Sequence, residues 1–187
     1  LPIIINNFLL KFKFRKKIQK IKTICVGNIY LGGTGKTPTT IKLYDILKKL
    51  NLKVYTAKKY YGSQIDENSI LEKKTSFISL KSRGKIVEKA INDNIDLVIF
   101  DDGLQDKKVN YDIQFVCFDA QNWIGNGLII PSGPMREKLS SLIKYDAIFL
   151  KDFVSNNNEM IDTIKKINPK IEIFYSETKI VNSDNFN

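Results

Sequence analysis

An α/β fold with a doubly wound, mainly parallel sheet and helices on both faces is what the sequence predicts, and three observations predict it. Short apolar runs bounded by turn residues alternate along the chain with segments of helical spacing. A glycine-rich turn, Gly32-Gly33-Thr34-Gly35-Lys36-Thr37, lies between the first such run and the first helical segment. Two acids, Asp101 and Asp102, follow directly on the run Leu97-Val98-Ile99-Phe100, at the carboxyl end of a strand where open α/β sheets bind ligands. The architecture implied is a P-loop NTPase-like, three-layer αβα sandwich.

The elements follow in order. Ile21 to Val26 reads as a buried strand running into the turn Gly27-Asn28, and Pro38 to Leu50 has apolar residues at helical spacing, Ile41, Leu43, Ile46, Leu47 and Leu50. Val54 to Ala57 is a short second strand. Lys58 through Ser82 reads as irregular apart from a strand at Ser76 to Leu80. Ile86 to Asn94 has one apolar helical face and leads into the strand Asp96 to Phe100, apolar enough to be buried on both sides. Ile113 to Phe118 is a strand, 126–134 a Gly/Pro-rich loop, Met135 to Ile143 a helix and Ala147 to Leu150 a strand. Met160 to Ile167 reads as a helix and Ile171 to Tyr175 as the last strand.

At 187 residues with 43% hydrophobic content, the chain holds one α/β core and is too short for two comfortable domains. Residues 1–22 read as a membrane-associated basic and apolar segment, and 23–187 as the P-loop domain. Leu1 in place of Met and a polar run ending at Asn187 lead to the expectation that the chain is incomplete at both ends.

Charge is unevenly placed. Of the net +10, seven positive charges precede residue 23 with no acid among them (Lys11, Lys13, Arg15, Lys16, Lys17, Lys20 and Lys22), while the rest of the chain carries 23 basic and 20 acidic residues. Such a block reads as an arm for anionic lipid headgroups or nucleic acid. The apolar stretches Leu1 to Ile5 and Phe8 to Leu10 before it, with Phe12 and Phe14 among the charges, favour an anionic membrane surface over nucleic acid. About 10 apolar residues are too few to span a bilayer, which takes ~20, so the segment lies in the interface or ends a longer helix. In the latter case the lysines mark the cytoplasmic side. No protein partner is evident. Cys25 and Cys117 each lie in an apolar strand and read as buried free thiols. The chain has no histidine, which excludes His-based zinc sites and a His general base within it.

Chemistry concentrates in three places. In 30–37 (Tyr30, Leu31, Gly32, Gly33, Thr34, Gly35, Lys36, Thr37) glycines turn successive backbone N–H groups inward on phosphates, and the following helix N-terminus adds a favourable dipole. Lys36 bridges the β- and γ-phosphates and neutralises developing charge. Thr37 offers its hydroxyl to Mg²⁺, and Pro38 suits the first helical turn. The general pattern G-x-x-x-x-G-K-[ST] is met except that Tyr30 replaces its first glycine. Asp101 is the metal candidate at the strand end. Asp102 orients the same shell or acts on an acceptor hydroxyl. In the third place, Gly125-Asn126-Gly127 to Pro131-Ser132-Gly133-Pro134-Met135-Arg136-Glu137, Asn126 and Arg136 are the candidates for contact with an anionic substrate.

Three stretches together resemble the tetraacyldisaccharide 4′-kinases (lipid A 4′-kinases): Val26-Gly27-Asn28 with Gly32 to Pro38, Asp101-Asp102-Gly103-Leu104-Gln105, and Gly125-Asn126-Gly127 running to Glu137. The family's P-loop likewise lacks the first glycine. The resemblance implies transfer of phosphate from Mg²⁺-ATP to the 4′-hydroxyl of a lipid A disaccharide 1-phosphate at the cytoplasmic face of the bacterial inner membrane. It also implies a membrane-associated N-terminal helix, of which Leu1 to Lys22 looks like the end. The family's Arg-Gly-Tyr-Gly segment is matched here by Lys59-Tyr60-Tyr61-Gly62, which keeps charge but loses bidentate geometry. Its Gly-Asp-Glu segment corresponds to Ile65-Asp66-Glu67, which makes Asp66 the candidate general base by resemblance. The family's histidine after the Asp-Asp-Gly-x-Gln motif is Asp106 here. Two other readings stay open from the residues alone: a P-loop NTPase that switches a partner, and a membrane- or nucleic-acid-binding module whose nucleotide site has decayed.

Overall fold

The computed structural model describes residues 21–60, 65–106, 109–153 and 158–177, with side chains from 68 onward in the second stretch. The basic and apolar segment lies outside these residues, save Ile21 and Lys22. Seven strands form one sheet in the order β3-β2-β4-β1-β5-β6-β7. They are β1 (Lys22–Gly27), β2 (Val54–Lys59), β3 (Phe77–Leu80), β4 (Leu97–Asp101), β5 (Ile113–Asp119), β6 (Ala147–Lys151) and β7 (Glu172–Ser176). Every pairing is parallel, so the sheet is more uniform than the mainly parallel one expected.

Burial follows position in the sheet. Every residue of β4 is buried, and so are Thr23 to Gly27 of β1. Central parallel strands have both faces covered and therefore read as unbroken apolar runs. The edge strand β7 instead buries only Phe174 fully. Four helices cover the faces: α1 (Lys36–Lys49), α2 (Ile65–Lys74), α3 (Arg83–Asn92) and α4 (Asn158–Ile167). Leu43 and Leu47 of α1 pack on Ile24, Val26, Ile99 and Phe115. Ile86 and Ala90 of α3 cover Cys25, Val98 and Phe100 on the opposite face. Ile164 of α4 joins Val116, Phe118 and Ile148 on that same second face. Each large aliphatic or aromatic side chain so buried is worth about 1.5–3 kcal/mol.

Three expectations need correction. The stretch taken as irregular contains α2, which among its described side chains buries one apolar residue fully, Leu71, and so leaves too faint a helical period to read. Met135 to Ile143 is not an α-helix: only a 3₁₀ turn forms, at Leu139–Lys144. The backbone before it is committed elsewhere, with Met135 N–H donating to Leu128 O at 3.0 Å and Arg136 N–H to Ile29 O at 2.7 Å. Finally, α3 starts at Arg83, three residues before the apolar face begins.

Candidate active site at the carboxyl edge of the sheet

The glycine-rich turn is held from below. Asn28, fully buried, donates from Nδ2 to Thr34 Oγ1 at 3.1 Å and to Gly32 O at 3.5 Å. Gly32 (φ 117°) and Gly35 (φ 81°) take left-handed conformations that L side chains rarely adopt. Gly35 is the N-cap of α1, whose first turn has no acidic residue. The helix therefore presents N–H groups and the positive end of its dipole to an anion, with no carboxylate in that turn to compete.

Thr37 and Asp101 meet. The Thr37 hydroxyl donates to Asp101 Oδ2 at 2.9 Å, and Lys58 Nζ, at the end of β2, lies 3.7 Å from the same oxygen. Both charged side chains are almost fully buried. Burial pushes the Asp101 carboxyl above its ordinary range, against the opposing pull of Lys58, the Thr37 hydrogen bond and Lys36. Its Oδ1 is buried without a hydrogen-bond partner among the described residues, a rare arrangement that marks an acceptor with unused capacity.

Asp102 turns away from the sheet at φ 63°. Arg136 Nη1 donates to its Oδ1 at 3.1 Å and Oδ2 at 3.3 Å, with both side chains about a quarter exposed. Arg83, nearly buried, donates from Nη2 to the Asp102 carbonyl and from Nη1 to Asp106 Oδ2 at 2.5 Å. Gln105 Nε2 spans Asn28 O at 2.9 Å and Glu137 Oε1 at 3.0 Å. The third motif also docks on the first, through Leu31 N–H to Pro134 O at 2.8 Å and the bridge Tyr30 to Met135. Beside the turn opens a cleft of about 910 Å³ lined by Leu31, Lys58, Lys59, Lys81, Ser82, Arg83, Gly84, Asp102, Gly103, Gln105, Asp106, Ile130 and Arg136. Five cations face two carboxylates there, so the cleft favours an anionic ligand.

The profile of the family described as LpxK, tetraacyldisaccharide-1-P 4′-kinase, matches residues 4–186. The chain belongs to this family. The tetraacyldisaccharide 4′-kinase of Pelagibacter ubique is 43% identical over 98% of this chain and 59% of its own length. That of Ruthia magnifica is 36% identical over 75% of this chain and 50% of its own. The chain thus spans between half and three-fifths of these relatives. Among solved structures, LpxK of Aquifex aeolicus in complex with ATP superposes with a TM-score of 0.64 at 18% identity, covering 99% of this chain and 80% of that one. The hydrogenase maturation factor HypB of Archaeoglobus fulgidus gives 0.57 at 15%, covering 92% and 89%. At these identities the likeness concerns the fold, a P-loop NTPase architecture.

The present chain, a member of the LpxK family, brings Lys36, Thr37, Asp101, Asp102 and Arg136 to one edge of the sheet. Tyr30 and Leu31 form the strap between the turn and the third motif. Asn126 stands apart: it holds its own loop, Nδ2 donating to Ser132 O at 3.0 Å and Oδ1 accepting from Leu128 N–H at 3.1 Å, and it does not line the cleft. Asp66 lies in the first turn of α2, its side chain outside the described residues. Sequence reasoning missed Lys58, Arg83 and the structural roles of Asn28, Gln105 and Glu137. A charged residue at the carboxyl end of β2 was a readable signal for Lys58; Arg83 had none.

Proposed function

We propose that this chain carries the catalytic P-loop domain of a kinase that transfers the γ-phosphate of ATP to the 4′-hydroxyl of a lipid A disaccharide 1-phosphate, at the cytoplasmic face of the inner membrane. The observation that carries the reading is the Thr37 hydroxyl resting on the buried Asp101 carboxylate, beside a phosphate-binding turn that opens on a cationic cleft. Family membership supplies the acceptor.

In this reading the N–H groups of 32–37 and the Lys36 ammonium hold the β- and γ-phosphates. Thr37 and Asp101 suit Mg²⁺: the donor set is two hard oxygens, and Asp101 Oδ1 is a buried acceptor awaiting a partner. Bound there, the ion would neutralise charge on the phosphates. Lys58 balances the Asp101 charge from the cleft side. Arg83, Lys59, Lys81 and Arg136 draw the anionic acceptor into the cleft, where its hydroxyl meets an aspartate that accepts the proton. Asp66 is that base by family resemblance, with Asp102 supporting from the cleft wall. The basic segment before residue 23 seats the domain on anionic lipid.

The test is transfer of labelled γ-phosphate from ATP to a lipid A disaccharide 1-phosphate in detergent micelles by the protein and its Lys36→Ala variant. Transfer by the protein and its loss in the variant is expected. ATP binding without transfer to this acceptor would reject the lipid-kinase reading.

A further inference from the structure

Lys58 is only 2% exposed, and a lysine is almost never buried so far unless it is paired. Asp101 is the carboxylate beside it, yet Nζ stands 3.7 Å from Oδ2, longer than the about 2.7–2.9 Å of a charge-assisted hydrogen bond. Asp101 thus attracts the ammonium without accepting one of its three N–H groups. The position of the side chain gives that charge a direction. β2 runs parallel to β4 with Ala57 opposite Phe100, so that the next residues, Lys58 and Asp101, come level at the carboxyl edge. The Thr37 hydroxyl, at the start of α1, meets the same Asp101 oxygen at 2.9 Å. Lys58 also lines the cleft that holds Arg83, Asp102 and Arg136. It therefore stands at the boundary between the phosphate-binding turn and the space that admits an acceptor. Lys36 and Lys58 both act electrostatically on Asp101; the carboxylate offsets one of these two positive charges, and the other remains for an anion.

We propose that Lys58 is a catalytic residue whose ammonium takes hold of the γ-phosphate oxygens of ATP at this boundary and stays with them through the transfer. The inference rests on the nucleotide reading above. In the step, the bond from the γ-phosphorus to the β,γ-bridging oxygen breaks and its electron pair leaves with ADP. A bond from phosphorus to the acceptor hydroxyl oxygen forms, and the hydroxyl proton passes to the aspartate base. Lys58 neither gains nor loses a proton. It offsets the charge on the γ-phosphate oxygens as they pass from the turn to the cleft, where water is excluded and such a contact is strong.

Binding of ATP and ADP in excess EDTA separates a lysine that only balances Asp101 from one that also grips the γ-phosphate, because without Mg²⁺ Asp101 no longer acts through an ion. Lys58→Met/Asp101→Asn removes the buried pair together and leaves no unpaired charge inside. By calorimetric titration the double variant is expected to lose about tenfold in affinity for ATP and under about twofold for ADP, the scale of one hydrogen bond to a charged group. Asp101→Asn alone keeps the preference for ATP. An equal change for both nucleotides in the double variant overturns the inference alone. A crystal structure of the unmodified protein with the β,γ-imido analogue of ATP gives a second measurement, independent of how any variant folds. Lys58 Nζ within about 3.2 Å of a γ-phosphate oxygen is expected there, and a separation beyond about 5 Å, too long for a hydrogen bond, overturns the inference. Failure of the unmodified protein to bind either nucleotide with Mg²⁺ present overturns the nucleotide reading and the inference with it.

Discussion

Gly103 is the residue where adding one methyl group tests the packing beneath the active site. A Cβ there would stand 2.5 Å from the Tyr111 hydroxyl, 3.1 Å from Cys25 Sγ and 3.2 Å from Arg83 Nε. None of the three has room to retreat. Cys25 lies within β1, Tyr111 is buried with its ring 5.4 Å from that of Phe100, and Arg83 is tied to the Asp102 carbonyl and Asp106. Overpacking of this kind costs about 2–3 kcal/mol, which for a chain of this size lowers Tm by about 5–10 °C. Differential scanning calorimetry of Gly103→Ala measures it. Tyr111→Phe removes the nearest clashing atom, a hydroxyl with no oxygen or nitrogen partner among the described residues, so the double variant should recover more than half the loss. A Gly103→Ala protein melting within a degree of the unmodified one would refute the packing argument, and a double variant no better than the single would refute the role assigned to Tyr111.

Other outcomes follow from the same geometry. Burial holds the Cys25 thiol far above its ordinary value and the Cys117 thiol up to about 12. Unfolded thiols ionise first, so stability is full below pH 9 and falls as pH rises above it. Each thiol contributes about 1.4 kcal/mol per pH unit to that fall, and urea unfolding at pH 8 and 10 should show a shallower loss in Cys117→Ala. Asn28→Ala removes the buried bond to Thr34 and is expected to cost about 1 kcal/mol while weakening ATP severalfold, read by calorimetric titration. Asp66→Ala should abolish phosphate transfer with ATP affinity retained; turnover near normal in that variant, with Asp102→Ala inactive, moves the base to Asp102.

Legibility in the sequence tracks whether a feature is local. β4, with 24–26 of β1 and 115–118 of β5, is buried on both faces and appears as an apolar run, and the glycine-rich turn between β1 and α1 states its own conformation through Gly32 and Gly35. That Thr37 and Asp101 come together was legible because each sits at a fixed offset from such an element. Arg83 was not, since its partner Asp106 lies 23 residues away and only the fold brings them together; Lys58 shows its charge at the end of β2, but not its pairing with Asp101, 43 residues on. Asn126 looked like a substrate contact because it stands between two glycines beside a recognisable motif. In the fold its amide donates once and accepts once within the loop that delivers Arg136, away from the cleft lining. The helix expected from Met135 failed for a related reason: Met135 and Arg136 give their N–H groups to Leu128 and Ile29, a tertiary commitment with no local trace.

Asp101, the last residue of β4, and Asp102 directly after it differ in how firmly they are held, and the difference suits the proposed phosphate transfer. Asp101 is bound by Thr37 and Lys58 out of contact with water; breaking a buried pair costs about 3–5 kcal/mol, so its position relative to the phosphates is fixed. Asp102 shares a partly solvated pair with Arg136, and exposed pairs of that kind are worth at most about 1 kcal/mol. In the proposed function an anionic acceptor entering the cleft would therefore take Arg136 from Asp102 at little cost, whereas the neighbouring acid keeps its geometry. Arg83 makes this exchange possible, since it holds the Asp102 backbone rather than its carboxylate, so that the side chain can change partners without the strand end moving.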